Sequence, residues 1–270
     1  MLASASPGKL RRRDWSQLSK PLLPSVVALP PNTQTFPEWL EGTWQASTEF
    51  AGFELPVKKL KKETLMKDKS IPGFQKLSLA QIPDVGAPGR FEMRFIKRAD
   101  GSVVEDKPYN LQSMIDNGLG RVQAVRAVTC PAADRCSVSF VPGATRNAEQ
   151  IELFFNARES EAPGADGTFA FAEFTRQVTY SLSTTMGVAR QEVGEYQVFW
   201  TLRPQRQGSV RGNILVAAYL QPQDALFFEA PAAPVLIYSY DLVLTKKDEG
   251  DVATDAGEVD EDEDEEDEQD

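Results

Sequence analysis

The chain has 270 residues, contains no histidine and carries a net charge of −11 at neutral pH. Without histidine, the Ser-His-Asp and Cys-His nucleophile systems are excluded, as are the metal sites that depend on imidazole ligands. The sequence also contains neither glycine-rich nucleotide-binding motif and no apolar run long enough for a membrane-spanning helix, so no cofactor, metal or transmembrane segment is predicted.

Residues 1–31 differ in composition from the rest of the chain. Arg11, Arg12 and Arg13 precede a short apolar run, an order that is typical of targeting segments. Pro21 and Pro24 interrupt that run, which suits a disordered arm equally well. We therefore divide the chain into a targeting-like or disordered N-terminal arm (1–31), a β-barrel domain (32–247) and a C-terminal tail (248–270).

The most informative segment opens the central domain with Glu38-Trp39-Leu40-Glu41-Gly42-Thr43-Trp44. A Gly-x-Trp motif at the start of the first strand is typical of lipocalin-type barrels. It predicts that the indole of Trp44 plugs the closed end of the barrel and that Gly42 lets another backbone approach.

A lysine-rich stretch follows this first strand. Its basic residues are Lys58, Lys59, Lys61, Lys62, Lys67 and Lys69. The Lys58–Lys69 patch is either a solvated loop or a contact surface for an anionic membrane or an acidic protein. Aromatic residues do not alternate with the lysines, so no nucleic-acid partner is predicted.

Alternating apolar and polar residues predict about eight to ten short strands. The predicted strands are Trp44–Phe50, Phe74–Ile82, Phe91–Phe95, Val122–Thr129, Ser137–Val141, Ile151–Phe155, Phe169–Leu182, Tyr196–Leu202, Ile214–Leu220 and Val235–Thr245. Such a series favours a single antiparallel, lipocalin-like barrel, because closure removes exposed sheet edges. A sandwich is the alternative architecture.

One short helix is predicted between two of these strands. Asn110 is its expected N-cap, Met114 and Ile115 lie within it, and Gly118 or Gly120 ends it in the left-handed conformation.

The inward faces of the strands are rich in aromatic residues. Together with the Gly-x-Trp motif they supply the candidate ligand-lining or barrel-base residues Gly42, Trp44, Phe91, Met93, Phe95, Trp200 and Tyr240; Phe171 and Tyr180 are expected on the same face. Side chains of this kind either fill a small barrel or surround one small apolar ligand.

Cys130 and Cys136 flank a turn-forming sequence, so that a hairpin would bring them within disulfide range. The alternative is a pair of inert thiols.

Polar residues around the strand Ile151–Phe155 are candidates for loop latches at the barrel mouth. They are Arg146, Asn147, Glu149, Arg158 and Glu159, with ion pairs expected between the arginines and the glutamates. No neighbouring group is visible that would tune Glu149 or Glu159 for acid-base catalysis.

The C-terminal tail holds 15 of the 40 acidic residues and none of the 29 basic residues. Without it, 29 basic and 25 acidic residues remain, which gives the rest of the chain a net charge of +4. Blocks of like charge repel one another, so residues 248–270 are predicted to form a disordered acidic tail that either solubilises the protein or meets a basic partner.

Several motifs also resemble an uncharacterised family of cyanobacterial and chloroplast proteins. They are the segments 29–44 (LPPNTQTFPEWLEGTW), 71–76 (IPGFQK), 145–149 (TRNAE) and 155–160 (FNARES). The resemblance implies a lipocalin-like barrel in the chloroplast, either in the thylakoid lumen or associated with the thylakoid membrane, and implies no activity. Lys246 or Lys247 approximates the basic residue that stacks on the opening tryptophan of lipocalins.

These observations together lead to the hypothesis of a non-enzymatic plastid barrel that binds a small apolar ligand such as a pigment, lipid or isoprenoid. A first alternative is an assembly or scaffold factor of a photosynthetic membrane complex, contacting plastid proteins through the Lys58–Lys69 patch or the acidic tail. A second alternative is a carboxylate-dependent enzyme, since glycosidases work with two acids.

Overall fold

The computed structural model describes residues 33–65, 88–120, 123–145, 148–182, 189–206, 208–231 and 233–247. The predicted strand Phe74–Ile82, the N-terminal arm and the acidic tail lie outside these ranges. Neither helix in the described part has the length and apolar character that a bilayer crossing requires.

The described residues form one antiparallel sheet of eleven strands, which confirms the predicted all-β, lipocalin-like fold. The strands are β1 (Thr35–Phe36), β2 (Gly42–Glu54), β3 (Gly89–Lys97), β4 (Val103–Glu105), β5 (Val125–Ala132), β6 (Arg135–Phe140), β7 (Gln150–Glu161), β8 (Phe169–Leu182), β9 (Ala189–Pro204), β10 (Ser209–Tyr219) and β11 (Leu236–Lys246). Their order across the sheet is β1-β4-β3-β2-β11-β10-β9-β8-β7-β6-β5. The helices are α1 (Lys62–Leu65) and α2 (Lys107–Gly118), with single 3₁₀ turns at Glu38–Leu40 and Phe227–Glu229.

The concave side of the curled sheet holds the main core. Along β9, for example, Tyr196, Val198, Trp200 and Leu202 are all buried in it, as the period-2 pattern of the sequence predicts. Aromatic rings fill much of the interior, and Phe171 stacks on Trp200 with ring centroids 5.7 Å apart.

Helix α2 takes the place of a closing strand between β3 and β5. Its Asn110 Oδ1 accepts the backbone N–H of Arg94 at 2.6 Å, and Ser113 Oγ accepts that of Glu92 at 2.7 Å. Asn117 Oδ1 likewise accepts the N–H of Arg90 at 3.2 Å. These side chains share one helix face, since they lie three and four residues apart, and they satisfy the N–H groups that β4 is too short to reach.

The other side of α2 meets β5. Asp116 Oδ1 accepts the backbone N–H of Val125 at 2.7 Å, while Leu111 and Ile115 pack with β5, β6 and β7 in a second apolar cluster. The two sides of the sheet are therefore joined through side chains of a helix rather than through a continuous backbone ladder.

The predicted start of this helix is wrong. Asp106 is the N-cap, its carboxylate accepts the N–H of Tyr109 at 3.4 Å, and Pro108 lies in the first turn. Asn110 lies within the helix because its side chain bonds to β3 instead of capping. Gly120 has a φ of 62°, so the predicted left-handed ending is present there.

Candidate functional site

Trp44, the predicted plug at the base of the barrel, is buried in the main core. Its Nε1 donates a hydrogen bond to the carbonyl of Leu40 at 2.7 Å, and Lys246 Nζ lies 5.7 Å from the indole centroid. A Cβ on Gly42 would stand 3.0 Å from Lys246 Cε, where the glycine has a φ of 115°. Gly42 therefore leaves room for the side chain of Lys246. The prediction that it lets another backbone approach is wrong.

Of the predicted ligand-lining residues, Phe91, Met93, Phe95, Trp200 and Tyr240 are buried in the main core. Phe171 is also buried, whereas Tyr180 is only half-buried. Most of the residues that the alternating sequence pattern predicts to face inward are therefore buried.

A cavity of about 20 Å³ lies between α2 and the barrel wall. Its lining combines apolar and polar side chains, namely Phe36, Met93, Phe95, Leu111, Met114, Phe171 and Trp200 with Glu105, Asn110 and Glu173. A space of this size accommodates about one water molecule. Met93, Phe95 and Trp200 line it, while Trp44, Phe91 and Tyr240 belong to the main core away from it and Gly42 lies against Lys246.

The two carboxylates that line this cavity, Glu105 and Glu173, belong to a buried ionic cluster. Lys107 Nζ donates to the two carboxylate oxygens of Glu173 at 2.8 and 2.7 Å and to Glu105 at 3.2 Å. Arg158 Nε donates to Glu173 at 2.6 Å from the other side. Both cations also lie over the ring of Phe155, with Lys107 4.2 Å and Arg158 5.0 Å from its centroid.

The electrostatics of the cluster keep Glu173 ionised. Burial raises the pKa of Glu173, but the charges of Lys107 and Arg158 and their hydrogen bonds outweigh it and lower the pKa from 4.5 to about 2. Burial also raises the pKa of the neighbouring Tyr196 far above its ordinary range, and the negative charge of Glu173 adds to that shift. Neither group exchanges protons near neutral pH, so the cluster has the character of a structural ion-pair network rather than of an acid-base site.

The arginine of the predicted loop latches that the structure describes, Arg158, has partners other than the predicted ones. Arg158 bonds to Glu173 and to the carbonyl of Ala133 at 2.7 Å, so it fixes the β5–β6 turn against β7. Glu149 and Glu159 are exposed and form no ion pair within the described ranges, so their expected pairing with Arg158 is wrong. Arg146 and Asn147 lie outside the described residues.

A second charged cluster lies on the outer side of α2. Tyr109 donates its hydroxyl proton to Glu92, and Lys247 Nζ lies 2.6 Å from the same carboxylate. Arg94 pairs with Asp106 at 2.6 Å and covers the ring of Tyr109. Burial and the hydrogen bond to Glu92 raise the pKa of Tyr109 to about 12, so its phenol stays protonated and acts as a permanent donor that ties α2 to β3.

The lysine-rich stretch begins in a turn after β2. Leu60 and Leu65 are buried against the main core, while Lys58, Lys59 and Lys61 are exposed. Lys67, Lys69 and the side chain of Lys62 lie outside the described residues.

The β5–β6 hairpin joins Cys130 to Cys136 in a disulfide. In the part of the chain that the structure describes, no group of cysteine and carboxylate side chains is arranged to bind a metal.

Lys107 and Glu173, the central pair of the ionic cluster, were not anticipated from the sequence. A signal was nevertheless present, because Glu173 has the same strand parity as Phe169 and Phe171 and so points inward with them. Lys107 carries no comparable signal, since only the placement of α2 in the folded protein brings it to Glu173.

A family model described as a domain of unknown function (DUF6816) matches residues 30–248. The chain belongs to this family. The matched region of the DUF6816 domain contains every described element, from β1 to β11. No curated protein and no solved structure matches the chain.

Proposed function

We propose that this DUF6816 protein is a non-enzymatic barrel of the chloroplast that acts through its outer surface, as an assembly or scaffold factor of a photosynthetic membrane complex. The observation that carries the proposal is the aromatic packing of the described interior, for example of Phe171 on Trp200, next to which the cavity beneath α2 measures about 20 Å³ and has room for a water molecule but not for a pigment. Packing of this kind among the described residues favours a function of the exterior of the barrel.

The state of the interior carboxylates supports a function without catalysis. Glu105 and Glu173 both line the cavity, as a carboxylate-dependent enzyme requires, but Lys107 bonds to both of them. Arg158 also donates to Oε1 of Glu173, which it shares with Lys107. Carboxylates held in this way are not free to attack a substrate, and the lowered pKa of Glu173 keeps that residue from donating a proton near pH 7.

Two charged surfaces support contact with partners. Lys58, Lys59 and Lys61 point into solvent, and the acidic stretch 248–270 follows Lys247 directly in the sequence. Charges of this kind accelerate association with oppositely charged surfaces. The plastid setting is supported by the sequence resemblance to chloroplast and cyanobacterial proteins.

The test is co-purification of the tagged protein with solubilised thylakoid complexes, quantified subunit by subunit. Deletion of residues 248–270 or the triple change Lys58→Gln/Lys59→Gln/Lys61→Gln should lower recovery of the same photosynthetic subunits. The matched control removes three exposed positive charges elsewhere, by Arg98→Gln/Arg206→Gln/Arg211→Gln, and should leave recovery unchanged. Equal recovery with all variants would contradict the proposal.

Binding of a small apolar ligand is the second candidate function. It is favoured by the position of the cavity beneath α2, because that helix is held to β3 by side chains and its displacement would enlarge the space next to Trp200. A titration with an isoprenoid alcohol or a carotenoid should then quench tryptophan emission in the wild type and less so in Trp200→Phe. Unchanged emission, with no shift of the unfolding midpoint, would exclude these ligands.

A further inference from the structure

The end of the barrel opposite Trp44 is built from two neighbouring segments. Phe53 pairs with Tyr238 and Glu54 with Ile237, so the chain that leaves β2 and the chain that enters β11 emerge side by side. We define the distal end as residues 55–61 and 221–231. Leu55, Val57, Leu226 and Phe227 of these segments pack against the same core, which fixes both on the barrel.

The distal end projects one aromatic side chain into solvent. Phe228 is 88% exposed, whereas the other exposed large apolar side chains of the described residues lie between 39 and 44%. It sits in a closed turn, because Glu229 N–H donates to the Leu226 carbonyl at 3.0 Å and Phe227 N–H to the Asp224 carbonyl at 2.9 Å. The turn is anchored further by Gln221 N–H, which donates to the carboxylate of Asp224 at 2.7 Å. Hydrogen bonds thus hold Phe228 in a turn that exposes it, although exposure of an apolar ring to water is energetically unfavourable.

Three lysines stand on the adjacent segment. Lys58 and Lys59 occupy a turn that is closed by the hydrogen bond from Leu60 N–H to the Val57 carbonyl at 2.9 Å, and Lys61 follows it. All three are exposed, and within the described residues none forms an ion pair. The exposed carboxylate nearest to Phe228 in the sequence is that of Glu229.

We propose that the distal end docks on a lipid bilayer that carries anionic headgroups. Phe228 enters the boundary between headgroups and acyl chains, and Lys58, Lys59 and Lys61 contact the anionic headgroups. One exposed aromatic ring offers far less apolar area than a stable protein interface needs, whereas a fluid bilayer accommodates a single inserted ring. The binding is weak and reversible, as expected for one ring and a few charges.

This inference rests on the proposed function in that it names the surface at which the protein works, but it is tested separately. The experiment is flotation of the full-length protein with vesicles of phosphatidylcholine containing about 30% phosphatidylglycerol, compared with phosphatidylcholine alone. The wild type should float with the anionic vesicles, and raising the salt concentration from about 50 to about 300 mM should release it.

Two changes at the distal end should lower the bound fraction at least about fivefold, namely Phe228→Ser and Lys58→Gln/Lys59→Gln/Lys61→Gln. Glu229→Gln should raise it, because it removes a negative charge next to the inserted ring. Ile96→Ser and Arg98→Gln/Arg206→Gln/Arg211→Gln are the matched controls near the base, and they should bind like the wild type. Phe228 is almost fully exposed, so Phe228→Ser should retain the unfolding midpoint of the wild type.

Equal binding of Phe228→Ser and wild type, or equal binding to neutral and anionic vesicles, would overturn the inference. If flotation fails while the photosynthetic subunits still co-purify, docking on lipid is wrong and the scaffold function stands. If flotation succeeds and no subunit co-purifies, the lipid surface stands without the scaffold function.

Discussion

Lys107, the first residue of α2, and Glu173, in the middle of β8, are joined by two hydrogen bonds of 2.8 and 2.7 Å across the interior of the barrel. Because α2 is bonded to β3 on its other face, this pair connects the helix to the opposite wall. Arg158 and Phe155 complete the environment of the pair on β7.

Breaking this pair should destabilise the protein strongly. Lys107→Met leaves Glu173 buried with one of its two cations removed, and loss of one partner of a buried ion pair costs about 3 to 5 kcal/mol. The free energy of unfolding, measured by urea denaturation, should fall by about that amount. Lys97→Met is the control, because Lys97 pairs with Glu38 at the exposed surface and its loss should change the free energy of unfolding far less. A similar small loss for both variants would contradict the structural role of the cluster.

The free energy of unfolding should decrease at low pH because Glu173 becomes protonated. Its pKa is lowered in the folded protein from 4.5 to about 2, so the folded state binds fewer protons than the unfolded state between these values. The contribution is complete above about pH 5 and is lost progressively as the pH falls toward 2. Glu173→Gln should therefore flatten the acid side of the plot of unfolding free energy against pH. Asn110→Ala, which removes no carboxylate, should keep the slope of the wild type; the same slope in Glu173→Gln would count against this assignment.

Removal of the Asn110 amide should loosen α2 from β3. The side chain is buried and accepts the Arg94 N–H, so Asn110→Ala leaves that donor unsatisfied at a cost of about 1 to 3 kcal/mol. Hydrogen exchange at the Arg94 amide should accelerate together with the loss of stability. Gln112→Ala, at an exposed position of the same helix, should change neither quantity.

Reduction of the disulfide should have a moderate effect. Cys130 and Cys136 enclose a short loop with a sequence separation of 6, for which chain entropy predicts a loss of about 2 kcal/mol on reduction. Dithiothreitol should lower the free energy of unfolding of the wild type and leave Cys130→Ser/Cys136→Ser unaffected. An unchanged wild type, with reduction verified by mass spectrometry, would show that the cross-link carries no stability.

Strands were predictable from the sequence because their signal is local. The bounds of Phe169–Leu182 agree with β8, and the Gly42-x-Trp44 motif marks both the start of β2 and the buried indole. Strands β1 and β4 were missed because two or three residues are too few to show alternation.

Contacts between residues that are distant in the sequence could not be predicted from local sequence patterns. The role of Asn110 was misread because an amide near the start of a helix favours capping, and only tertiary structure shows that β3 provides better partners. Asp106 followed by Pro108 was the more reliable sign of the start. Likewise, Arg158 was expected to pair with residues close in sequence, whereas its partner Glu173 lies on the neighbouring strand.

The position of Lys247 at the base separates the acidic tail from the exposed lysines of the distal end by the length of β2. The chain leaves the described structure there, next to Trp44 and Lys246, and the 15 acidic residues of the tail are attached at that point. The three exposed lysines follow the opposite end of β2, a strand of 13 residues. A negatively charged plane attracts the three lysines and repels the acidic tail, so the proposed docking predicts an approach with the distal end first.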